Sequence, residues 1–356
     1  MAPRCRSVCG ILPPHLLEQI VRNGTDEQRS WAINTMTKDF TLRSIRAQNA
    51  LLQTKSLKPL QVRAVGEGQP VRTIFDCDNE EDLRARIVRR EGDSPTGDLA
   101  VDEAYDGLGA TYDLYWQVYE RDSIDDEGMP LDAYVHYGKD YDNAFWDGRH
   151  MVFGDGDGAL VNRLTIAVDV MGHELAHGVT ADEAGLVYSQ QPGALNESLS
   201  DVFGSLVKQR TRQETADQAD WLIGAGLLTS QVKGVALRSL KAPGTAYDDP
   251  VFGKDPQPAH MRDYVQTTKD NGGVHINSGI PNRAFYLAAV DIGGYAWEKA
   301  GRIWYEALRD QWLRPTSRFL TFAGATLRAA VRLGYSESST EYQAVRQAWE
   351  QVGITV

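Results

Sequence analysis

The chain has 356 residues, 42% of them hydrophobic, and a formal net charge of −12. That length predicts two domains plus a short extra segment, with enough apolar side chains for sizeable cores. The acidic balance argues against nucleic acid or an anionic membrane as main partner. No apolar run of about 18 residues predicts a membrane-inserted helix, and three cysteines, Cys5, Cys9 and Cys77, do not make a disulfide framework.

Arg4 and Arg6 precede only a very short apolar stretch before Pro13-Pro14, too short for a secretory signal. The expectation is a cytoplasmic precursor without a standard signal peptide, with release by a non-standard route as the alternative. Residues 1–55 read as helical. Leu16, Leu17, Ile20 and Val21 recur at helical spacing, Gly24 ends that helix, and Thr25 with Gln28 reads as a capping box for a second. Apolar positions continue through Trp31, Ile33, Met36, Phe40 and Leu42. Residues 56–70, with Lys58, Pro59, Gly66, Gly68 and Pro70, read as a linker.

From residue 71 to 168 short strand-like runs alternate with Gly/Asp turns: Val71 to Phe75, Tyr134 to Tyr137 and Met151 to Phe153. Asp155 and Asp157, in a Gly-Asp-Gly-Asp-Gly run, read as turn residues rather than cation ligands. From 169 to 356 the pattern is mainly helical. Ile303, Trp304, Ala307, Leu308 and Trp312 form one apolar face; Tyr342, Val345, Trp349 and Val352 form another. The predicted class is α+β, with a β-rich N-terminal lobe, an α-helical C-terminal lobe, and a cleft between them where a substrate would lie.

The chemistry sits in His173-Glu174-Leu175-Ala176-His177. Histidines at i and i+4 share one helix face and can hold one Zn2+ ion, while Glu174 stays free to carry a proton. A catalytic zinc usually takes three protein ligands, so a third is expected from a facing element. Glu197 and Asp201 are again i and i+4. One can bind the metal; the other can accept the outer N–H of a ligating histidine. His15, His136, His150 and His260 have no paired ligand spacing and receive no role.

These blocks resemble the thermolysin-like neutral metallopeptidases. The resemblance runs in order from about residue 70 to the C-terminus: Glu103 to Gly107, Asn143-Ala-Phe-Trp146 with Gly154 to Gly158, the zinc motif, Gly185-Leu-Val-Tyr188 with Gly193 to Asp201, and Asn271-Gly-Gly-Val-His275. It implies a β-rich lobe and a helical lobe around a zinc cleft, and hydrolysis of protein or peptide substrates. By residue it implies His173, His177 and Glu197 as metal ligands, and Asp201 behind them. Glu174 would be the general base, and His275, oriented by Asp270, would act with Tyr188 as oxyanion donors. Asn143, the Ala144 backbone and Arg238 would hold the peptide. Val161, Leu164, Val170, Ile223 and Leu237 would line an apolar pocket, which implies cleavage before Leu, Ile, Val or Phe. Asp169 and Asp220 match two positions of the family's paired Ca2+ site. Lys208, Leu222 and Ala225 stand where carboxylates would be, so the double calcium site is not expected, and Lys208 is expected to substitute its own charge for one ion.

Cys9-Gly-Ile-Leu-Pro13-Pro14-His-Leu-Leu17 resembles the short prosegments of the protealysin-like branch. That implies a self-inhibited precursor, released by cleavage between about Asn49 and Val71, with Cys9 as a candidate zinc ligand in the latent state. Relatives of this kind also imply a protein inhibitor as a partner. Two other classes are weighed. A narrow aminopeptidase would need a group that captures a free N-terminus, and no clear candidate is present. A degenerate, purely binding relative would lack a ligand, the base or the oxyanion donor, and all are here.

Overall fold

The computed structural model describes residues 10–52 and 68–356, with side chains in the first stretch up to Phe40. Cys5, Cys9, the Leu42 side chain and most of the linker lie outside the described residues.

Two helices open the described chain. α1 (Pro14–Asn23) begins on a proline, whose fixed φ and missing N–H suit a first helical turn, and it buries Leu16, Leu17 and Ile20. Gly24 ends it by donating its N–H to Ile20 O. Thr25 N donates to Gln28 Oε1 at 2.9 Å and Gln28 N to Thr25 Oγ1 at 3.3 Å. This reciprocal box opens α2 (Asp26–Leu52). The expected apolar stripe of α2 needs correcting. Ile33 and Phe40 are 48% and 72% exposed and line an open groove with Val21 and Met36 of the same helix pair. Two packed helices bury only their shared side.

A five-stranded sheet follows: β1 (Arg72–Asp76), β2 (Arg86–Arg90), β3 (Leu131–Val135), β4 (Ala144–Trp146) and β5 (His150–Phe153), in the order β2-β1-β3-β5-β4. The three inner strands are parallel; β2 and β4 pair antiparallel at the edges. β3 stops two residues short of the predicted Tyr137, because His136 (φ 53°) and Gly138 (φ 66°) turn into the left-handed region. α3 (Leu99–Tyr119) covers β1 and β3. Asp98 caps it by accepting from Ala100 N and Val101 N, and Glu120 in the left-handed conformation ends it. β4 is a sheet edge, a row of unpaired backbone groups. Its outer side takes the N-terminal strand: Gly10 bridges Phe145, and Ile11 N donates to Ala144 O at 3.1 Å.

The rest is helical: α4 (Val168–Glu183), α5 (Gln190–Arg212), α6 (Asp270–Asn277), α7 (Gly279–Ile292), α8 (Ala300–Leu308), α9 (Phe319–Arg332) and α10 (Thr340–Gln351). Two short hairpins intervene, β6 (Leu222–Ile223) with β7 (Arg238–Ser239), and β8 (Asp248–Asp249) with β9 (Gly253–Lys254). The two predicted apolar faces meet where Trp304 stacks on Trp349, ring centres 6.0 Å apart. Trp312 does not join them. α8 ends at Leu308, and Trp312 is 60% exposed. Among the described residues no helix is long and apolar enough to cross a membrane.

α4 is buried continuously from Asp169 to Thr180, and α5 from Gly193 to Gln209. Such helices lie inside a protein rather than on it. They approach closely because glycines meet. A Cβ on Gly204 would lie 2.4 Å from Asp169 O, and one on Gly172 would lie 2.9 Å from the Gly204 Cα. Gly204→Ala is therefore expected to destabilise by about 1–3 kcal/mol, read as a lower Tm. Gly324→Ala, where only the end of the Arg328 side chain lies near, should instead stabilise through helix propensity, by up to about 1 kcal/mol.

Candidate metal centre and active site

Where α4 crosses α5, three ligand atoms converge. The Nε2 atoms of His173 and His177 lie 3.2 Å apart. Glu197 Oε2 is 3.5 Å from the first, and Glu197 Oε1 is 3.6 Å from the second. Among the described residues, this is the group of three whose ligand atoms lie within 4.8 Å of one another. Ligands at about 2.0–2.1 Å from a tetrahedral zinc stand roughly 3.3–3.4 Å apart, so the spacing fits.

The protonation pattern fits as well. His173 Nδ1 faces Asp201 Oδ1 at 2.8 Å; His177 Nδ1 faces Asn196 Oδ1 at 2.6 Å and Ser200 Oγ at 3.0 Å. Each Nδ1 thus carries the hydrogen, which leaves both Nε2 lone pairs aimed at each other. Burial pushes both imidazoles down to about 4, so both are neutral, as a ligand must be. Glu197 Oε2 is buried with no hydrogen-bond partner. Two facing acceptors beside an unsatisfied buried carboxylate oxygen call for a cation.

Behind the ligands lies a buried charge network. Burial would raise Asp201, but the adjoining Arg238 guanidinium and His173 hold its carboxyl well below the usual range. Arg238 Nε donates to both carboxylate oxygens, at 3.1 and 2.9 Å, and Asn282 Nδ2 donates to Oδ2 at 2.8 Å. Arg238 Nη1 also donates to Ile11 O at 3.1 Å. One guanidinium therefore ties a peptide carbonyl to the carboxylate that orients His173.

On the opposite side His275 Nδ1 lies 2.6 Å from Asp270 Oδ1, and His275 N donates to Asp270 Oδ2 at 2.9 Å. This return contact needs four successive left-handed residues, Asp270 to Gly273, which explains the two glycines there. Burial lowers the His275 pKa, but the Asp270 carboxylate outweighs it and the net shift is upward. Tyr188 OH donates to Glu197 and sits 3.2 Å from His275 Nε2. Glu174 is fully buried, and its Oε2 accepts from Trp146 N at 3.2 Å. The residues expected to line an apolar pocket, Val161, Leu164, Val170, Ile223 and Leu237, are all buried and share one continuous core with Ile11 and Leu12.

Asn143 holds Leu12 from both ends: Leu12 N donates to Asn143 Oδ1 at 3.0 Å, and Asn143 Nδ2 donates to Leu12 O at 3.4 Å. Lys208 Nζ lies 2.9 Å from Asp169 Oδ2 and 2.7 Å from Asp220 Oδ1, and donates to Leu222 O at 2.6 Å. Asp157 Oδ1 accepts from the backbone of Ala159, Leu160 and Val161, which is turn chemistry as expected.

Sequence reasoning missed several contributors. Asn196 and Ser200 are themselves i and i+4, one position before Glu197 and Asp201, and that register could have found them. Asn282, Asp39 and Gln257, whose Nε2 donates to His275 O at 2.8 Å, carry no sequence signal. Asp201→Asn is expected to weaken metal binding about 10- to 100-fold, measured by competition with a chromophoric chelator. Unchanged affinity would remove Asp201 from this role.

The chain matches the family descriptions "Thermolysin metallopeptidase, catalytic domain" over residues 72–181 and "Thermolysin metallopeptidase, alpha-helical domain" over residues 184–354. It is 51% identical over 354 residues to "Extracellular metalloprotease" of Pectobacterium carotovorum subsp. carotovorum, covering 99% of this chain and 98% of that protein. It is 47% identical over 349 residues to "Protease PrtS" of Photorhabdus sp. (strain Az29), covering 98% and 92% respectively. The solved precursor of protealysin, a metalloproteinase from Serratia proteamaculans, superposes with a TM-score of 0.88 at 53% identity, over 98% of this chain and 100% of that one. The chain belongs to the thermolysin family of zinc-dependent metalloendopeptidases and shares the architecture of the protealysin precursor.

Proposed function

We propose that this is a latent zinc endopeptidase that cleaves before bulky hydrophobic residues and is blocked by its own N-terminal segment. The observation that carries the reading is residues 10–12, held as a peptide. Ile11 N reaches Ala144 O, Ile11 O reaches Arg238, and Leu12 is gripped at both ends by Asn143. This strand addition uses the groups that would hold a substrate backbone. Ile11 is wholly buried and belongs to the same apolar core as the expected pocket residues, which supports a preference for a similar side chain after the scissile bond.

When bound, zinc supplies a Lewis acid and lowers the pKa of water from 15.7 toward roughly 7. Glu174, fixed by the Trp146 N–H, takes the water's proton and passes it to the leaving amine. His275, its pKa raised by the Asp270 carboxylate against burial, donates with Tyr188 OH to the developing oxyanion. Losing one such donor typically costs about 2.7–4 kcal/mol. Arg238, Asn143 and the Ala144 carbonyl keep the peptide in line.

Asp39 of α2 adds a second lock. This buried carboxylate accepts from Asn143 Nδ2 at 2.9 Å and from Tyr141 OH at 2.6 Å. The prosegment thus engages the Asn143 side chain from two helices' worth of chain, and a substrate must displace both. Removal by cleavage in the linker, within residues 56–70, relieves the block. Action outside the cell is supported by the name of the Pectobacterium relative.

Lys208 takes the place of a calcium ion. Its ammonium pairs with Asp169 Oδ2 and Asp220 Oδ1, and calcium at that point would meet a like charge. Calcium is therefore expected to leave the Tm of the wild type unchanged, while Lys208→Met, which leaves the buried Asp169 without its cation although Asp220 keeps Arg212, loses about 3–5 kcal/mol. A wild-type Tm that climbs with added calcium would refute the substitution.

The function is tested by intact mass of purified wild type and Glu174→Ala, with and without a chelator. Only the metal-loaded wild type is expected to lose its N-terminal segment. Processing of pure Glu174→Ala at the wild-type rate would remove Glu174 as base. Processed enzyme should then prefer Leu, Ile, Val or Phe after the scissile bond over Ala by about tenfold or more; equal rates would remove the specificity.

A further inference from the structure

The loop after β5 lies directly beneath the peptide-holding edge. Gly154 N donates to Asn143 O at 3.0 Å, Gly156 N to Tyr141 O at 3.2 Å, and Leu164 N to Gly154 O at 3.2 Å. A Cβ on Gly154 would lie 1.9 Å from Tyr141 O, and one on Gly156 would lie 2.4 Å from Val161 O. The loop therefore sets the height of Asn143 on one side and the start of the pocket wall, Val161 and Leu164, on the other.

Besides these backbone bonds, the loop is anchored by a histidine with no part in the chemistry above. His136 leaves β3 with φ 53° and places its ring between two carboxylates. Nδ1 lies 2.8 Å from Asp155 Oδ2 of the loop, and Nε2 lies 3.2 Å from Asp98 Oδ2 at the start of α3. Asp98 is itself fixed, since its Oδ1 accepts from Ala100 N and Val101 N. Only the doubly protonated imidazolium can donate to both acids.

We propose that His136 is a positioning residue for substrate binding: as a cation it clamps the 154–158 loop to the N-terminus of α3 and so holds Asn143 and the pocket wall in register. This rests on the reading of Asn143, Val161 and Leu164 as substrate-holding groups. The charged groups facing the ring are Asp155 from the loop and Asp98 from α3; Arg163, paired with Glu103, stands beside both acids. The hydrogen bond to Asp155, with the charge of both acids, outweighs burial and raises the His136 pKa from 6.5 to about 9. A raised folded value means that the clamp is complete below pH 6.5 and is lost as pH climbs through about 9.

The test is kcat and KM of the processed enzyme from about pH 6 to 10, on a peptide with Leu after the scissile bond, for wild type, His136→Gln, Asp155→Asn and Asn143→Ala. The wild-type KM should rise through about pH 9 with kcat changing less. His136→Gln should show a KM about three- to tenfold higher already at neutral pH and no further rise near pH 9. Asp155→Asn keeps a hydrogen-bonding side chain and should flatten the same limb. It also serves if the histidine variant does not fold. A KM profile in both variants that follows the wild type, or a loss confined to kcat, overturns the proposal. If Asn143→Ala raises KM while the clamp variants do not, the clamp alone fails. If Asn143→Ala leaves KM unchanged, the reading of the peptide-holding edge fails and the clamp with it.

Discussion

Helices α4 and α5 cross at a distance that only glycine permits, with Gly172 facing Gly204 and Gly204 against the Asp169 carbonyl. The metal centre depends on this contact. α4 supplies both histidines and Glu174, the proposed base; α5 supplies Glu197, the third member of the candidate metal group. α5 also supplies every group that orients the two imidazoles, Asn196 and Ser200 for His177 and Asp201 for His173. Helical spacing lets one face of α5 present the two i, i+4 pairs in adjacent registers. A wider crossing would separate ligands from orienting groups together, because both ride on the same rigid element.

Around that crossing, three buried carboxylates are each matched by a cationic partner. Asp201 is matched by Arg238, Asp270 by His275, and Asp169 by Lys208. Such pairs add little net stability compared with an apolar core, but breaking one is severe. Their consequence here is positional. Arg238 links a backbone carbonyl in the cleft to the carboxylate behind His173, and Asp270 fixes the ring that faces Tyr188. These pairs therefore align residues 10–12, the His173 ring and the His275–Tyr188 pair.

The cleft borders a sheet edge, and its state depends on what covers that edge. β4 has one bonded side, toward β5, and one open side. Residues 10–12 occupy the open side, with Gly10 close enough that a Cβ would lie 2.4 Å from Asn143 Nδ2. α1 and α2 contribute Leu16, Leu17 and Ile20 to the main core and Asp39 to Asn143. On the proposed reading, latency and substrate recognition use the same groups, the Ala144 carbonyl and the Asn143 and Arg238 side chains.

The sequence by itself determined the family, the α+β class and the His173, His177 and Glu197 group that the structure brings together. These follow from local register: i, i+4 spacing puts His173 with His177 and Glu197 with Asp201 on single helix faces whatever surrounds them. The Thr25–Gln28 box was legible for the same reason. What only the tertiary structure decided were contacts between residues far apart in the chain. The pairing of His136 with Asp155 and Asp98, the grip of Asp39 on Asn143, and Asn282 on Asp201 join different elements, and no spacing encodes them. The exposure of Ile33, Phe40 and Trp312 belongs here too. Periodicity shows that a helix has an apolar face, but packing decides whether another element covers it.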